Sequence, residues 1–177
     1  MLDRLLTWHQ QKHTSYVLTN SANHQSLAQL EQLCADILSP IEQKFGRISI
    51  TYGFTSAEFL RHILKHSPGD MAPEIDQHAS MERNTRGNRI CKRDGASCDF
   101  YVEDYRQKMD EIANFIVNTL PFDRLYFYGK DKPIHISIGP EQSHYALIRT
   151  PRRDGIRVNK KSGQGDAAKR LFHHYNE

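Results

Sequence analysis

The feature that most constrains the fold is an apolar stripe, Leu27, Leu30, Cys34, Ile37, Leu38, Ile41 and Phe45, spaced by threes and fours. That spacing draws one continuous apolar face along a helix of about five turns. A helix apolar along one side over such a length must cover a sheet or another helix. Gly46 ends it, and Arg47 to Phe54 then alternates as a strand with one buried face. Pro40 is expected to kink or split the helix.

The remaining elements follow from the same periodicities. Residues 2 to 13 read as a short amphipathic helix, and Ser56 reads as the N-cap of another, with Glu58 in its first turn and Phe59, Leu60, Ile63 and Leu64 facing inward. Ser67 to Asp94 contains Pro68, Gly69, Pro73 and Gly87 and little apolar periodicity, which predicts a long loop, a feature that in compact domains often carries function. Gly95-Ala96-Ser97-Cys98-Asp99-Phe100-Tyr101-Val102 is a small-residue approach to a strand, and Glu103 to Leu120 carries a second helical stripe that Pro121 stops. Arg124 to Tyr128 and Ile134 to Ile138 predict two strands joined through Gly129 to Pro133, with a third at Tyr145 to Arg149. The order of elements predicts an α+β fold in which a mainly antiparallel sheet packs against two long helices.

With 177 residues and 38% hydrophobic content, one domain with one core is expected. The net charge of +3 is unevenly spread: from Arg149 onward there are eight Lys/Arg against three acids, and before it sixteen against eighteen. The chain is therefore read as a domain over 1–148, with an insertion loop at 79–94, and a basic segment over 149–177 that suits an anionic partner such as nucleic acid. No apolar run approaches the ~18 residues of a membrane span, which predicts a cytoplasmic protein with no membrane partner. Three cysteines without a Cys-x-x-Cys pair predict neither a disulfide framework nor a thiolate zinc site, and Cys34 and Cys98 read as small buried apolar residues.

Three residues stand out by context as candidates for a single metal site. His78 begins the special loop, Asp99 enters a strand behind small residues, and His135 interrupts an apolar strand where a polar side chain needs a partner. Three mixed histidine and carboxylate ligands with one position left for water suit a catalytic divalent metal such as zinc. Arg83, Arg86, Arg89 and Arg93, with Lys92, make the neighbouring insertion basic, and guanidinium groups offer two-point binding to carboxylate or phosphate.

On these residues the chain resembles the zinc D,D- and L,D-peptidases of the Hedgehog/D-Ala-D-Ala peptidase fold. Thr51-Tyr52-Gly53-Phe54-Thr55-Ser56 looks like that family's Ser-Gly-Tyr-Arg-Ser strand end. Gln77-His78 together with Gly95 to Phe100 looks like its Ser-x-His-x-x-Gly-x-Ala-x-Asp element, opened by an insertion, and Ile134-His135-Ile136 is similar to its final ligand strand. The resemblance spans about Leu27 to Ile138 and implies His78, Asp99 and His135 as zinc ligands. It departs at Thr55, where the family has a substrate-binding arginine, and at Lys132 and Pro133, where it has a catalytic carboxylate or a histidine. Asp131 is the nearest replacement for the base, and the basic loop is the nearest replacement for the arginine. The implied activity is zinc-dependent hydrolysis of an amide in a small peptide or cell-wall fragment. The alternative is a metal domain of the same fold, changed in substrate or without catalysis, that binds an anionic partner such as nucleic acid through the loop and the basic segment.

Overall fold

The computed structural model describes residues 1–68, 76–151 and 157–173. The start of the expected loop, 69–75, and residues 152–156 and 174–177 of the basic segment lie outside them.

The chain opens with α1 (Leu2–Thr7) and α2 (His9–Lys12), parted at Trp8, whose indole donates to the Phe54 carbonyl at 2.7 Å. The apolar stripe then forms α3 (His24–Leu33), a π-helical turn (Cys34–Leu38) and α4 (Ser39–Phe45) in unbroken succession. Asn23 caps the start by accepting from the Ser26 N–H at 2.8 Å, and Gly46 at φ 93° ends the run. Pro40 does not split this helix. It lacks an N–H and crowds the carbonyl four residues back, and the turn ahead of it widens, with the Ser39 N–H reaching the Cys34 carbonyl.

Strand β1 (Ile48–Tyr52) and helix α5 (Ala57–His66) follow, the latter capped by Ser56 as expected. Its Phe59, Leu60 and Ile63 are buried, but Leu64 is 51% exposed. Strand β2 spans Ala96–Val102. The second predicted helix is shorter than its stripe: Glu103–Tyr105 is a single 3₁₀ turn, closed by the Glu103–Arg106 ion pair at 2.8 Å, before α6 (Met109–Thr119) begins. Strands β3 (Arg124–Phe127), β4 (Ile134–Ile138), β5 (Tyr145–Pro151) and β6 (Arg157–Gln164) and helix α7 (Asp166–His173) complete the chain.

The fold is α+β, with one mixed sheet in the order β1-β2-β4-β3-β5-β6. Every pairing is antiparallel except β3 with β5, which is parallel. One face of the sheet presents Ala96, Cys98, Phe100, Ile134, Ile136, Leu125, Phe127 and Ile148 to Leu30, Leu33, Ile37, Ile41, Ile112, Ile116 and Phe172 in a single core. Because side chains alternate along a strand, Ser97, Asp99, Tyr101, His135, Ser137, Tyr126 and Leu147 belong to the other face. A smaller aromatic cluster, Trp8, Tyr16, Tyr52, Phe59 and Ile63, covers the β1 end of that face.

The expected division at 148/149 falls inside β5, and residues 157–173 are built into the same fold. Strand β6 pairs along β5, and Ala168 and Phe172 of α7 lie in the main core. Strand β6 escapes the sequence reading because it is an edge strand, exposed almost throughout and rich in lysine, so it carries no apolar alternation.

Candidate metal centre

Two of the predicted trio are neighbours by register. Asp99 of β2 lies opposite His135 of β4, and Tyr52 of β1 lies opposite Asp99 on the other side. A bulge between Ile50 and Tyr52 re-aims β1 at this point, and the Thr51 hydroxyl donates to the Asp99 carbonyl at 3.2 Å.

His78 arrives from outside the sheet. The Thr55 N–H donates to the His78 carbonyl at 3.0 Å, and Ser80, two residues on, donates its hydroxyl to the Gly95 carbonyl at 2.7 Å. Gly95 is required here: at φ 121° a Cβ would stand 1.9 Å from the Ile138 carbonyl oxygen, so no other residue lets this segment close onto β4. His78 Nδ1 lies 3.2 Å from the Gly53 carbonyl, which can only accept. Nδ1 therefore donates to that carbonyl, and Nε2, 3.5 Å from Asp99 Oδ1, is the atom that His78 offers to the cluster.

His135 Nδ1 is 2.7 Å from the same Asp99 oxygen, and its Nε2 is buried with no hydrogen-bond partner. The two imidazole rings are 5.1 Å apart. Tyr126 stacks on His135 at 4.8 Å, and the Tyr52 ring stands edge-on to His78 at 4.5 Å, so each histidine of the trio is held by an aromatic wall. Burial would raise the Asp99 pKa, but hydrogen bonds from His135 and His78 and their charge outweigh it and hold the carboxyl well below its ordinary range.

The residues fit a metal. One ligand atom from each of His78, Asp99 and His135 lies within 4.8 Å of the other two. Bonds of 2.0–2.2 Å in tetrahedral geometry put ligand atoms about 3.4 Å apart, close to the 3.5 Å between His78 and Asp99. A buried imidazole nitrogen without a partner is costly unless something binds it. Among the described residues this is the one group of three histidine, cysteine or carboxylate side chains that could hold an ion.

The structure does not bring Asp131 into the cluster. It sits exposed in the β3–β4 turn, its carboxylate 2.7 Å from Lys132 Nζ and its backbone carbonyl accepting from the Tyr101 hydroxyl. A turn aspartate beside lysine has its own local partner, which holds it at the surface. The four arginines also part company. Arg83 and Arg86 are exposed at the loop tip, with Arg83 donating to the Gly87 carbonyl at 2.8 Å. Arg89 is occupied by Asp94 at 2.7 Å and by the Ser80 carbonyl at 3.0 Å. Of the four, Arg93 is the one whose guanidinium acts on the Tyr126 hydroxyl, on the metal side of the sheet. The loop is instead anchored to the start of α3, where Glu82 accepts from the Asn23 N–H and the Ser26 hydroxyl, each at 2.8 Å.

Phe127 packs in the core, while Tyr126 walls His135 and Tyr128 follows on the same face. The alternation of β3 against β4 carries that signal. Asp76 was missed: its backbone carbonyl accepts from the Ser97 hydroxyl, and its charge acts on both tyrosine hydroxyls. Compared with known protein families, curated proteins and solved structures, the chain matches none.

Proposed function

We propose that the chain is a zinc-dependent hydrolase of the Hedgehog/D-Ala-D-Ala peptidase type, acting on an amide in a small peptide or cell-wall fragment. The observation that carries this reading is that His78, Asp99 and His135, from positions far apart in sequence, each bring one ligand atom within 4.8 Å of the other two. The order strand, histidine loop, aspartate strand, helix, histidine strand agrees with that family. No helix among the described residues is long and apolar enough to cross a membrane.

Bound at this trio, zinc would supply Lewis acidity toward a carbonyl and lower the pKa of a water molecule. The chain's own residues supply the rest. The Gly53 carbonyl and Thr55 orient His78, and the cross-strand register orients His135 against Asp99. Burial raises the pKa of the Tyr126 and Tyr128 hydroxyls, so both stay protonated near neutral pH and can donate to negative charge developing on a scissile carbonyl. To Asp76, whose charge falls on both hydroxyls, we assign the proton-accepting role that the sequence gave to Asp131. Metal analysis of the purified protein, followed by a metal-dependent cleavage assay over a peptide and muropeptide panel, tests the reading. Absence of stoichiometric metal removes the site, and inertness across the panel removes the activity.

A second reading, a nucleic-acid-binding metal domain, draws support from a different surface. Lys160, Lys161, Ser162 and Arg170 line an open cleft of about 450 Å³ between β6 and α7. Binding through it would weaken steeply with salt, and no binding at low salt would exclude it.

A further inference from the structure

Resting on the metal-centre reading above, we propose that Arg149 and Arg157, arranged around Tyr128, form an anion subsite beside the metal centre that holds a carboxylate or phosphate group of the substrate.

The placement follows from the sheet. Tyr126 pairs with His135 on one side and with Leu147 on the other, so one strand step further along the same face brings Tyr128 beside Arg149. Arg149 in turn faces the start of β6, where its Nη2 donates to the Arg157 carbonyl at 3.2 Å. The Arg157 guanidinium lies over the Tyr128 ring, 4.4 Å from its centroid, which fixes a flexible side chain against the sheet. Two guanidinium groups are thus gathered at one corner of the open face.

Among the described residues, Arg149 and Arg157 form no ion pair, whereas Arg4, Arg89, Arg106 and Arg124 each face a carboxylate. The Nε of Arg149 is buried and has no hydrogen-bond partner. A buried guanidinium N–H left without an acceptor is what an anion site looks like before its ligand arrives. The Tyr128 hydroxyl lies in the field of Asp99 and Asp76 as well as of both arginines, so the subsite adjoins the metal trio. Strands lie ~4.8 Å apart, so β5 stands about 10 Å from β4, and the anionic group would sit within about 10 Å of the scissile bond. A peptide with a free C-terminal carboxylate one or two residues beyond that bond meets this requirement, as does a phosphorylated fragment.

The test uses the full chain, metal-loaded, as wild type, Arg149→Ala, Arg157→Ala and Arg157→Lys. The probes are the dipeptide Ala-Ala with a free carboxylate, its C-terminal amide, and inorganic phosphate, with affinity read by calorimetry and metal content measured alongside. Wild type should bind the free acid or phosphate at least tenfold tighter than the amide. Both alanine variants should lose that preference with unchanged metal content, and Arg157→Lys should restore part of it, since the charge returns without the two-point fork. Whichever anion binds tighter names the source. Equal affinity for acid and amide with no binding of phosphate, or an unchanged preference in both alanine variants, overturns the subsite. Failure of the hydrolase reading is seen separately: the preference for anions would persist in a protein that takes up no metal or cleaves nothing.

Discussion

Asp99 and His135 face one another across the β2–β4 pair, with Oδ1 and Nδ1 2.7 Å apart and Nε2 of the histidine buried without a partner. Neither residue adds to a core that is otherwise apolar, yet both stand at the centre of the sheet. A cross-strand pair of this kind is held by backbone register and needs no flexible linker to form, so its geometry is fixed before any ligand binds.

Metal binding should depend on this pair and on His78. His78→Ala, Asp99→Ala and His135→Ala should each lower metal affinity at least tenfold, while Asp131→Ala leaves stoichiometry unchanged. Because the ligands bind in their deprotonated forms, uptake should weaken as pH falls. Metal analysis after dialysis checks all four variants, and retention of metal by Asp99→Ala would falsify the centre.

Asp76→Asn and Asp131→Asn separate the two candidate bases. The first should reduce kcat by 10²-fold or more, within the usual range for general base catalysis, with metal content preserved. The second should leave kcat within about twofold, since Asp131 is engaged with Lys132 at the surface. The opposite ranking would return the role to Asp131.

Phe172→Ala should destabilise the protein by about 3–5 kcal/mol, the cost of deleting a fully buried phenyl ring. A separate basic appendage would tolerate the change. Denaturant unfolding of the whole chain measures it, and a loss under about 1 kcal/mol would place α7 outside the core.

Gly95→Ala should cost at least as much as a strained backbone residue, about 1–3 kcal/mol, because the new Cβ would meet the Ile138 carbonyl at 1.9 Å as well as forcing alanine to φ 121°. It should also weaken metal binding, since the same contact seats the His78 segment. Stability and metal content should fall together.

The Arg4–Glu42 pair gives a pH signature. Arg4 donates to both Glu42 oxygens, at 2.6 and 3.1 Å, and the Ile48 N–H donates to one of them at 3.0 Å, tying α1, α4 and β1 together. The Arg4 hydrogen bond holds the Glu42 carboxyl below its ordinary value of 4.5. A depressed carboxyl contributes stability that is fully present above about 4.5 and is lost as pH falls through the lower folded value. Glu42→Gln should therefore be less stable than wild type at neutral pH, with the gap closing in acid, as thermal unfolding across pH would record.

What the sequence determined by itself is what periodicity encodes. The stripe from Leu27 to Phe45, the alternation at Ile48, and the apolar strands around Asp99 and His135 specify which residues are buried locally, because a helix or strand hides one face whatever it packs against. His135 was legible for the same reason, as a polar residue in an apolar strand, whereas Asp99 stood out behind small residues at a strand start and His78 at the head of the insertion. Tertiary structure decided everything that depends on which elements become neighbours. The parallel pairing of β3 with β5 and the incorporation of polar β6 as an edge have no local periodic signal. The same holds for the gathering of Tyr128, Arg149 and Arg157 beside the metal trio. Those residues are ordinary in composition, and only the register of β3, β5 and β6 puts them on one face.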